Sequence, residues 1–272
     1  MSHSQPPPVT GDTSSAPPAP GRRAATARTM LNKVPEVFLL FWVVKILSTT
    51  VGETAADFLA DNLGLGLPVT SILMSVLLAA ALVVQFRLTR YVPAAYWLAV
   101  VLISIVGTLV SDNLVDNLGV SLWTTTTAFS VALAATFALW FRAERTLSIH
   151  TIVTSRREGF YWLAILFTFA LGTSAGDLVG EKLALGYLTS AVLFGIMIAL
   201  VTVAHLKGGL NAVLAFWAAY ILTRPFGASM GDYLTATPAD GGLGLGTNGT
   251  SGLFLAVIVA AVGWFTIQQR RA

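Results

Sequence analysis

The stretch FWVVKILSTTVGETAADFLADNLGLGLP, residues 41–68, decides the fold of this chain. It begins like a membrane-spanning helix, with an aromatic pair followed by an apolar run. It then carries a lysine and three carboxylates, at Lys45, Glu53, Asp57 and Asp61. Charged residues within a bilayer segment mark a helix that faces a protein interior or water rather than lipid. The rest of the chain must therefore be searched for the same pattern.

The composition is that of a membrane protein. Of 272 residues, 55% are hydrophobic and 11% are charged, whereas a typical soluble domain has about 25% charged residues. Apolar runs of 17 or more residues recur along the chain, and such runs are long enough to span a hydrocarbon core of ~30 Å. Cysteine is absent and only three histidines are present, so neither a disulfide framework nor a soft-metal site is expected. The expected partner is the lipid bilayer, and the net charge of +3 does not indicate nucleic-acid binding because topology explains it, as described below.

The chain divides into a polar tail and a membrane domain. Residues 1–30 are rich in Pro, Ser, Thr, Ala and Gly, which predicts a disordered cytoplasmic N-terminal tail. No apolar segment follows a basic one in this tail, so it lacks the pattern of a signal peptide. Residues 31–272 form the predicted membrane domain.

The membrane domain contains a fourfold internal repeat. Trp42, Gly52 and Asp57 are separated by ten and then five residues. The same spacing recurs in three further triplets: Trp97, Gly107 and Asp112; Trp162, Gly172 and Asp177; Trp217, Gly227 and Asp232. The tryptophans are 55, 65 and 55 residues apart, so the second half of the domain repeats the first at an offset of 120 residues. This register indicates a two-repeat unit that was duplicated once more.

Each repeat holds two apolar runs, which predicts eight transmembrane helices. The first runs carry the Trp, Gly and Asp pattern and lie near 35–60, 94–117, 159–182 and 212–234. The second runs lack ionisable residues and lie near 70–86, 123–141, 187–204 and 251–267. The predicted fold class is all-α: a polytopic membrane protein of four parallel-oriented helical hairpins, with repeats at approximately 36–90, 91–157, 158–210 and 211–272.

The basic residues predict the orientation of the helices. Apart from Lys45 and Arg224, which lie within apolar runs, every Lys and Arg except Lys182 falls before the first helix or on the side where the repeats join. Cytoplasmic loops carry such an excess of Lys and Arg, so both termini are predicted to be cytoplasmic. Each repeat crosses the membrane twice, and all four copies therefore run in the same direction.

In this pattern, residues 30–270 resemble a family of uncharacterised bacterial integral membrane proteins built from four copies of a repeat of unknown function. The resemblance is carried by four tandem two-helix repeats, each with a Trp and a charged first helix, and most specifically by KILSTTVGETAADFL in the first repeat. It implies an eight-helix protein of the bacterial inner (plasma) membrane, without an established activity. The fourth repeat departs from the pattern, with Arg224 and Pro225 before its Gly and no acidic residue four positions after its Asp.

The repeated aromatic and small residues suggest structural roles. Fifteen residues of helix span ~22 Å, which puts the tryptophans near the cytoplasmic interface if the aspartates lie in the outer part of the membrane. The predicted interface anchors are Trp42, Trp97, Trp162 and Trp217. Each repeated Gly precedes another small residue by four positions, and such pairs let helix backbones approach closely. The predicted packing positions are Gly52, Gly107, Gly172 and Gly227, with the first helices meeting beside the aspartates and the second helices around them.

The carboxylates of the first helices form the candidate ion-binding and metal site. The predicted ligands are Glu53, Asp57, Asp112, Asp177 and Asp232. A charge at mid-bilayer costs at least ~2.5 kcal/mol, and such residues mark ion or proton pathways. Oxygen ligands suit hard cations such as Mn²⁺, Mg²⁺ or Ca²⁺, or Na⁺ and H⁺, so no cofactor is expected other than a bound divalent cation. The alternatives are helix capping or a satisfied polar network for the aspartates, and a buried ion pair with Lys45 or Arg224 for Glu53.

Further polar residues lie near these carboxylates in the repeat. The predicted supporting residues are Lys45, Thr49, Thr50, Ser111, Ser174, Arg224 and Ser229. Lys45, Thr49, Glu53 and Asp57 are four residues apart and so share one face of the first helix. Pro225 removes a backbone hydrogen bond in mid-helix, which predicts a broken seventh helix.

Three functions fit these residues. The favoured one is a secondary carrier of a hard cation, with proton coupling as a variant, and not an enzyme; its partners are the bilayer and an inorganic cation or proton, and no oligomeric state is predicted. The second is a structural or sensory membrane protein whose repeated polar residues only hold the bundle together. The least favoured is an intramembrane aspartyl hydrolase. Gly176-Asp177 and Gly231-Asp232 resemble its Gly-Asp pairs, but Ser174 and Ser229 stand where its motif has another Gly.

Overall fold

The computed structural model describes residues 32–271, so the predicted tail at 1–30 lies outside the described residues. The long helices are α1 Leu39–Asp57, α2 Gly66–Arg87, α3 Pro93–Asp112, α4 Leu122–Glu144, α5 Ser155–Asp177, α6 Tyr187–Gly208, α7 Ala212–Thr235 and α8 Thr247–Arg271. Two short 3-10 turns, Ile149–Thr151 and Pro238–Asp240, lie in the connections. Residues 32–271 contain no strand, and the prediction of an all-α chain with eight long helices is confirmed.

Seven of these eight helices are long and apolar enough to cross a membrane, as expected of a multi-pass membrane protein. The exception is α7, whose sequence contains Arg224, Pro225 and Asp232. These residues lower its average hydropathy although its length matches that of the other helices. Helix α7 can carry these polar residues because they lie in the interior of the bundle, as shown below, so its low hydropathy does not mean that it faces water.

Local signals explain where several helices begin. The hydroxyl of Ser121 accepts a hydrogen bond from the Thr124 N–H at the start of α4, and Thr154 accepts one from the Arg157 N–H at the start of α5. Asn211 caps α7 in the same way. Such side chains satisfy N–H groups that have no partner within the first helical turn. The helix starts at the repeat junctions are therefore specified locally.

Three of the first helices end in a wide turn directly after the repeated aspartate. These π-helical turns are Phe58–Asn62 after α1, Asn113–Asn117 after α3 and Leu178–Lys182 after α5. Single π turns inside or at the end of helices are rare and occur often at functional sites. Helix α7 has no such turn and ends at Thr235. The fourth repeat thus differs from the others in backbone as well as in sequence.

Helices α1, α3, α5 and α7 form a closed ring at the centre of the bundle, since each packs against the next and α7 packs against α1. The repeated glycines lie where neighbours touch: Gly52 against Ser104, Gly107 against Phe169, Gly172 against Arg224, and Gly227 against Thr49. A Cβ atom at any of these four glycines would overlap the neighbouring helix. Small residues at these contacts let the four first helices approach closely enough to enclose a common central axis.

The second helices lie outside the ring, but not as the predicted hairpins. In the apolar windows of α2, α4, α6 and α8 only 17–22% of residues are buried, against 61–72% in α1, α3 and α5. Each second helix packs chiefly on the first helix of the following repeat, and α8 packs on α1. Hydrogen bonds join some of these pairs, for example from Ser251 Oγ in α8 to Thr54 Oγ1 in α1, at 2.6 Å. In this respect the hairpin prediction is wrong. In the first repeat, the π-helical turn and the left-handed Gly64 and Gly66 lie between α1 and α2, and α2 packs on α3 instead of on α1.

At the end where the first helices begin, aromatic side chains fill the ring. The residue before each Trp contacts the Trp of the next repeat: Phe41 with Trp97, Tyr96 with Trp162, Tyr161 with Trp217, and Phe216 with Trp42. Exposure of Trp97, Trp162 and Trp217 is 1–4%. These three are not interface anchors, which corrects the prediction, because the ring buries them as its aromatic core. Only Trp42 stays partly exposed.

Helix α7 is continuous through Pro225, so the predicted broken helix is wrong. Proline cannot donate a hydrogen bond to the carbonyl four residues earlier, which here belongs to Ile221. Tertiary contacts compensate for this loss, since Arg224 and Pro225 pack against Gly172 of α5. The helix is held together by its neighbours at the point where its own backbone is weakest.

Candidate cation site

Two repeat positions meet at the axis of the ring. Seven residues after each Trp lie Thr49, Ser104, Phe169 and Arg224, and eleven residues after it lie Glu53, Thr108, Thr173 and Ala228. Seven of these eight residues are at most 2% exposed; Glu53, at 6%, is the eighth. The fourth repeat therefore contributes a cation to a layer in which the other repeats contribute a carboxylate and two hydroxyls.

The guanidinium of Arg224 binds residues from all three other first helices. Its Nη2 donates to Glu53 Oε2 at 2.6 Å and to Thr173 Oγ1 at 2.7 Å, and it also contacts Thr108 Oγ1. Its Nη1 donates to the main-chain oxygen of Thr49 at 2.5 Å, and its Nε to that of Phe169 at 3.4 Å. All three nitrogens thus have acceptors, which is what a buried arginine requires. Of the two cations considered as partners of Glu53, the structure pairs it with Arg224.

The four repeated aspartates surround the same axis one turn beyond Glu53. We call Glu53, Asp57, Asp112, Asp177 and Asp232 the carboxylate cluster. Oxygen atoms of Glu53, Asp177 and Asp232 lie within 4.8 Å of one another. Asp57 follows Glu53 by one turn of α1, and Asp112 follows Thr108, which donates to Glu53, by one turn of α3. The four aspartates are half-buried, and among residues 32–271 none of them forms an ion pair or a side-chain hydrogen bond.

The distances make full ionisation of this cluster unfavourable. Two unit charges 4.8 Å apart repel by roughly 3.5 kcal/mol at an effective dielectric constant of ~20. Arg224 neutralises one carboxylate, Glu53, and leaves the aspartates uncompensated. The cluster must therefore hold protons or a cation, and its oxygen atoms are the ligand type that hard cations prefer.

The acidic residues four positions beyond the aspartates lie outside this cluster. Asp61, Asp116 and Glu181 are exposed. Each belongs to one of the π-helical turns that follow the repeated aspartates, one turn further toward the end of its helix. They add negative charge at the mouth of the site without being part of it.

Lys45 shares a helix face with Glu53 but lies apart from the carboxylate cluster. Its side chain is fully buried and its Nζ has no hydrogen-bond partner among the described residues. The ammonium lies over the rings of Phe169 and Tyr220, 4.3 Å from each ring centre. Lys45 therefore lies in the half of the ring axis that aromatic side chains fill, which we call the aromatic half, and interacts there through cation–π contacts.

The predicted supporting hydroxyls mostly bind main-chain carbonyls. Thr49 Oγ1 donates to Ile46 O at 2.6 Å and Thr50 Oγ1 to Gly227 O at 3.0 Å, which ties α1 to α7. Ser174 Oγ donates to Leu171 O at 3.1 Å within α5. The buried Ser111 hydroxyl has no hydrogen-bond partner within residues 32–271, and Ser229 is buried at 2% exposure. These groups line the ring wall, and their oxygen lone pairs stay available for further contacts.

Sequence reasoning did not assign a role to Thr108 and Thr173. The repeat alignment contained the signal, because both occupy the position of Glu53 in their own repeats. A second buried ion pair was also missed: Lys33 Nζ donates to Glu158 Oε2 at 2.6 Å, and Gln85 Nε2 donates to Glu158 Oε1 at 3.3 Å. This pair lies at the end of the bundle where α5 begins and has no repeat counterpart.

An apolar cavity of about 550 Å³ lies away from the carboxylate cluster, between α1, α6, α7 and the connection after α4. Its polar lining residues are Ser148, His150, Thr202, His205 and Thr223, and none of the carboxylates in the described part of the chain lines it. Because hard cations need oxygen ligands with negative charge, this cavity is not the cation site.

Fold and site together define a class: a helical membrane protein built from tandem repeats whose first helices enclose a polar axis. A family model described as Repeat of Unknown Function (DUF347) matches residues 40–91, 95–146, 160–207 and 215–271. The chain belongs to this family of four tandem repeats. No curated protein and no solved structure matches the chain.

Proposed function

We propose that this protein is a secondary carrier of a hard cation, with the carboxylate cluster as its binding site. The observation that carries the proposal is the approach of Glu53, Asp177 and Asp232 to within 4.8 Å, on three different helices. Local sequence does not require three carboxylates to converge, and their mutual repulsion opposes folding unless a cation or protons compensate it. A carrier site needs such partial compensation, because the cation must be able to leave as well as to bind.

The charge balance of the cluster favours exchange of the cation with protons. Without a cation, some aspartates must be protonated, since Arg224 can neutralise only Glu53. Arrival of a cation stabilises the ionised carboxylates and releases those protons. Proton release on one side and uptake on the other would couple cation movement to the proton gradient.

The proposed topology has all eight long helices in the bacterial plasma membrane and both termini in the cytoplasm. The carboxylate cluster then opens toward the outside, and the aromatic core faces the cytoplasm. Cysteines introduced singly into the connection 145–154 should react with a membrane-impermeant thiol reagent only when the cytoplasmic side is accessible. Labelling of this connection in intact cells would contradict the topology.

The binding proposal is tested by titrating purified protein with Mn²⁺, Mg²⁺ and Ca²⁺ and by measuring uptake of the same ions into proteoliposomes. Asp177→Asn and Asp232→Asn should each weaken binding at least tenfold, because each removes a charged ligand. Asp240→Asn is the matched control, since Asp240 lies in an exposed turn and binds Thr237. Equal binding by all three variants would show that the cation is not held by this cluster.

One observation favours a second candidate function, that of a non-transporting structural or sensory protein. The Arg224 network joins α7 to α1, α3 and α5 and would stabilise the ring without any ligand. If no hard cation binds the wild-type protein or its variants, this second function is the better account. Catalysis is not part of either proposal: although Asp177 and Asp232 approach each other, their position in the repeat also carries Asp57 and Asp112, so the two do not form a distinct pair.

A further inference from the structure

Glu53 takes part in two arrangements at once. Its Oε2 accepts hydrogen bonds from Arg224 Nη2 at 2.6 Å and from Thr108 Oγ1 at 3.3 Å. A carboxylate oxygen of Glu53 also completes the close group with Asp177 and Asp232. The same negative charge is therefore shared by a guanidinium within the protein and by any cation that enters the cluster. Binding of the one weakens binding of the other.

The guanidinium also separates the two halves of the axis. Beyond it lie the ring of Phe169, whose centre is 5.5 Å from Arg224 Cζ, and then the ammonium of Lys45. On its other side lie the half-buried aspartates. While Arg224 is bound to Glu53, Thr108 and Thr173, its side chain is fully buried where the four first helices meet.

The four repeats make Arg224 an exception that packing does not require. The equivalent positions, Thr49, Ser104 and Phe169, each fill the same contact with the glycine of the preceding repeat without carrying a charge. At the repeat position of Glu53 the fourth repeat has Ala228, whose side chain supplies no ligand. The fourth repeat thus has a cation, Arg224, at the position where the other three repeats have neutral residues, and this cation lies next to Phe169 of the aromatic half.

We propose that Arg224 is a tethered counter-cation of the transport site, and that the transported ion is a divalent cation that displaces it from Glu53. This inference rests on the proposed carrier function. A monovalent ion brings no more charge than the guanidinium, whereas a divalent ion brings twice as much to a cluster with four uncompensated aspartates. Selection of divalent over monovalent ions follows from this competition.

Displacement leaves the guanidinium with partners. After release from Glu53 it can still donate to Thr108, to Thr173 and to the main-chain oxygens of Thr49 and Phe169. Pro225 weakens α7 next to this side chain, because it cannot bond the Ile221 carbonyl. These neutral acceptors keep the guanidinium hydrogen-bonded after it leaves Glu53, although they do not replace the charge of that carboxylate.

The test is a calorimetric titration of Mn²⁺ into purified full-length protein, with and without an excess of Na⁺. Arg224→Gln should bind Mn²⁺ at least tenfold more tightly than wild type, because its internal competitor is gone. Na⁺ should lower the Mn²⁺ affinity of this variant and leave that of the wild type unchanged. Arg87→Gln is the matched control: Arg87 is exposed at the end of α2, and its loss should change neither value.

A second variant should change the Mn²⁺ affinity in the opposite direction, and it keeps the charge of Arg224. Thr173→Val removes one acceptor of the guanidinium, at 2.7 Å, and does not touch Glu53. Arg224 then depends more strongly on Glu53, so Mn²⁺ affinity should fall about threefold to tenfold. This variant decides the question even if Arg224→Gln does not yield folded protein.

The outcomes separate the two proposals. If wild type binds Mn²⁺ but neither variant shifts its affinity in the stated direction, the tethered counter-cation is refuted and the carrier proposal stands. If Na⁺ competes equally in wild type and Arg224→Gln, selection by Arg224 is refuted. If only Arg224→Gln binds Mn²⁺, the competition is stronger than stated and the inference is supported. If no variant and no wild-type protein binds Mn²⁺, both proposals fail.

Discussion

Lys45→Met should raise the stability of this protein, whereas the same substitution at a second buried lysine, Lys33→Met, should lower it. Lys45 is fully buried, and its Nζ has no hydrogen-bond partner among residues 32–271. Lys33 is also buried, but it binds Glu158 at 2.6 Å and the main-chain oxygen of Phe86 at 3.2 Å. The two sites differ in whether the ammonium is compensated.

The magnitude follows from the contacts of each lysine. Removing an ion of this size from water costs several kcal/mol, and two desolvated cation–π contacts return about 2 kcal/mol each. Arg224 lies over the same Phe169 ring, 5.5 Å from its centre, and the repulsion between the two cations lowers the return further. Methionine has a similar length and makes favourable sulfur contacts with aromatic rings such as Phe169 and Tyr220. We expect Lys45→Met to stabilise the protein by about 1–3 kcal/mol.

At Lys33 the same change leaves Glu158, which is 1% exposed, without its cation. Loss of one member of a buried ion pair costs about 3–5 kcal/mol, and the hydrogen bond from Gln85 offsets only part of this. With a midpoint shift of about 2–4 °C per kcal/mol, the two variants should differ in unfolding temperature by roughly 10 °C or more.

The assay is thermal unfolding of the detergent-purified protein, followed by tryptophan fluorescence and by the monodisperse fraction after heating. Wild type and both variants are compared in one detergent at one pH. If Lys45→Met lowers the unfolding temperature as much as Lys33→Met does, then the Lys45 ammonium has a compensating partner and the reasoning is wrong. If Lys45→Met is stable but no longer takes up cations, the buried charge serves transport rather than folding.

Three further perturbations test the ring and the cluster. Glu53→Gln should abolish cation uptake into proteoliposomes and lower the free energy of unfolding by about 3–5 kcal/mol, because it leaves the Arg224 guanidinium uncompensated. Asp116→Asn, at an exposed position, should change neither uptake nor stability. Similar effects of the two substitutions would show that burial does not decide which carboxylate matters. Gly227→Ala should cost about 1–3 kcal/mol in thermal unfolding, because the added Cβ overlaps a neighbouring helix, while Gly263→Ala, with open space around it, should be neutral or stabilising by up to ~1 kcal/mol; the reverse order would refute the close approach. Cation affinity should rise between about pH 5 and pH 8, because protons compete with the cation for the same carboxylate oxygens. Titration in buffers of different ionisation enthalpy should detect the protons released, and intact binding with no protons released would exclude proton coupling.

Much of the fold could be predicted because it depends on local periodicity. The recurrence of Trp, Gly and Asp at fixed spacing identified four copies of one unit, and the apolar runs identified two helices in each. Since equivalent residues of parallel repeats lie at equal depth, the sequence also placed Asp57, Asp112, Asp177 and Asp232 on a common level. The inner position of the first helices followed from their charge, because lipid does not accept it.

Two of the errors, on the tryptophans and on Pro225, have one origin in common. The tryptophans were expected at the lipid interface, but a ring of four helices buries three of them against the aromatic residues of neighbouring repeats. Pro225 was expected to break α7, but contacts with α5 hold that helix together. Average preferences for Trp and Pro describe an isolated helix, and here the neighbouring helices override them.

By itself the sequence determined the all-α membrane architecture, the fourfold repeat and the residues available to a polar axis, because hydropathy, helical period and spacing act along the chain. Only the tertiary structure decided which residues meet. Arg224 reaches Glu53 and Thr108 because the ring brings α7 beside α1 and across from α3, at sequence separations of 171 and 116 residues. Lys45, on the same helix face as Glu53, pairs with no carboxylate of the described residues because the ring turns it toward Phe169 and Tyr220. The rotation and order of helices around an axis depend on side-chain packing between them, and no pattern along a single helix encodes it.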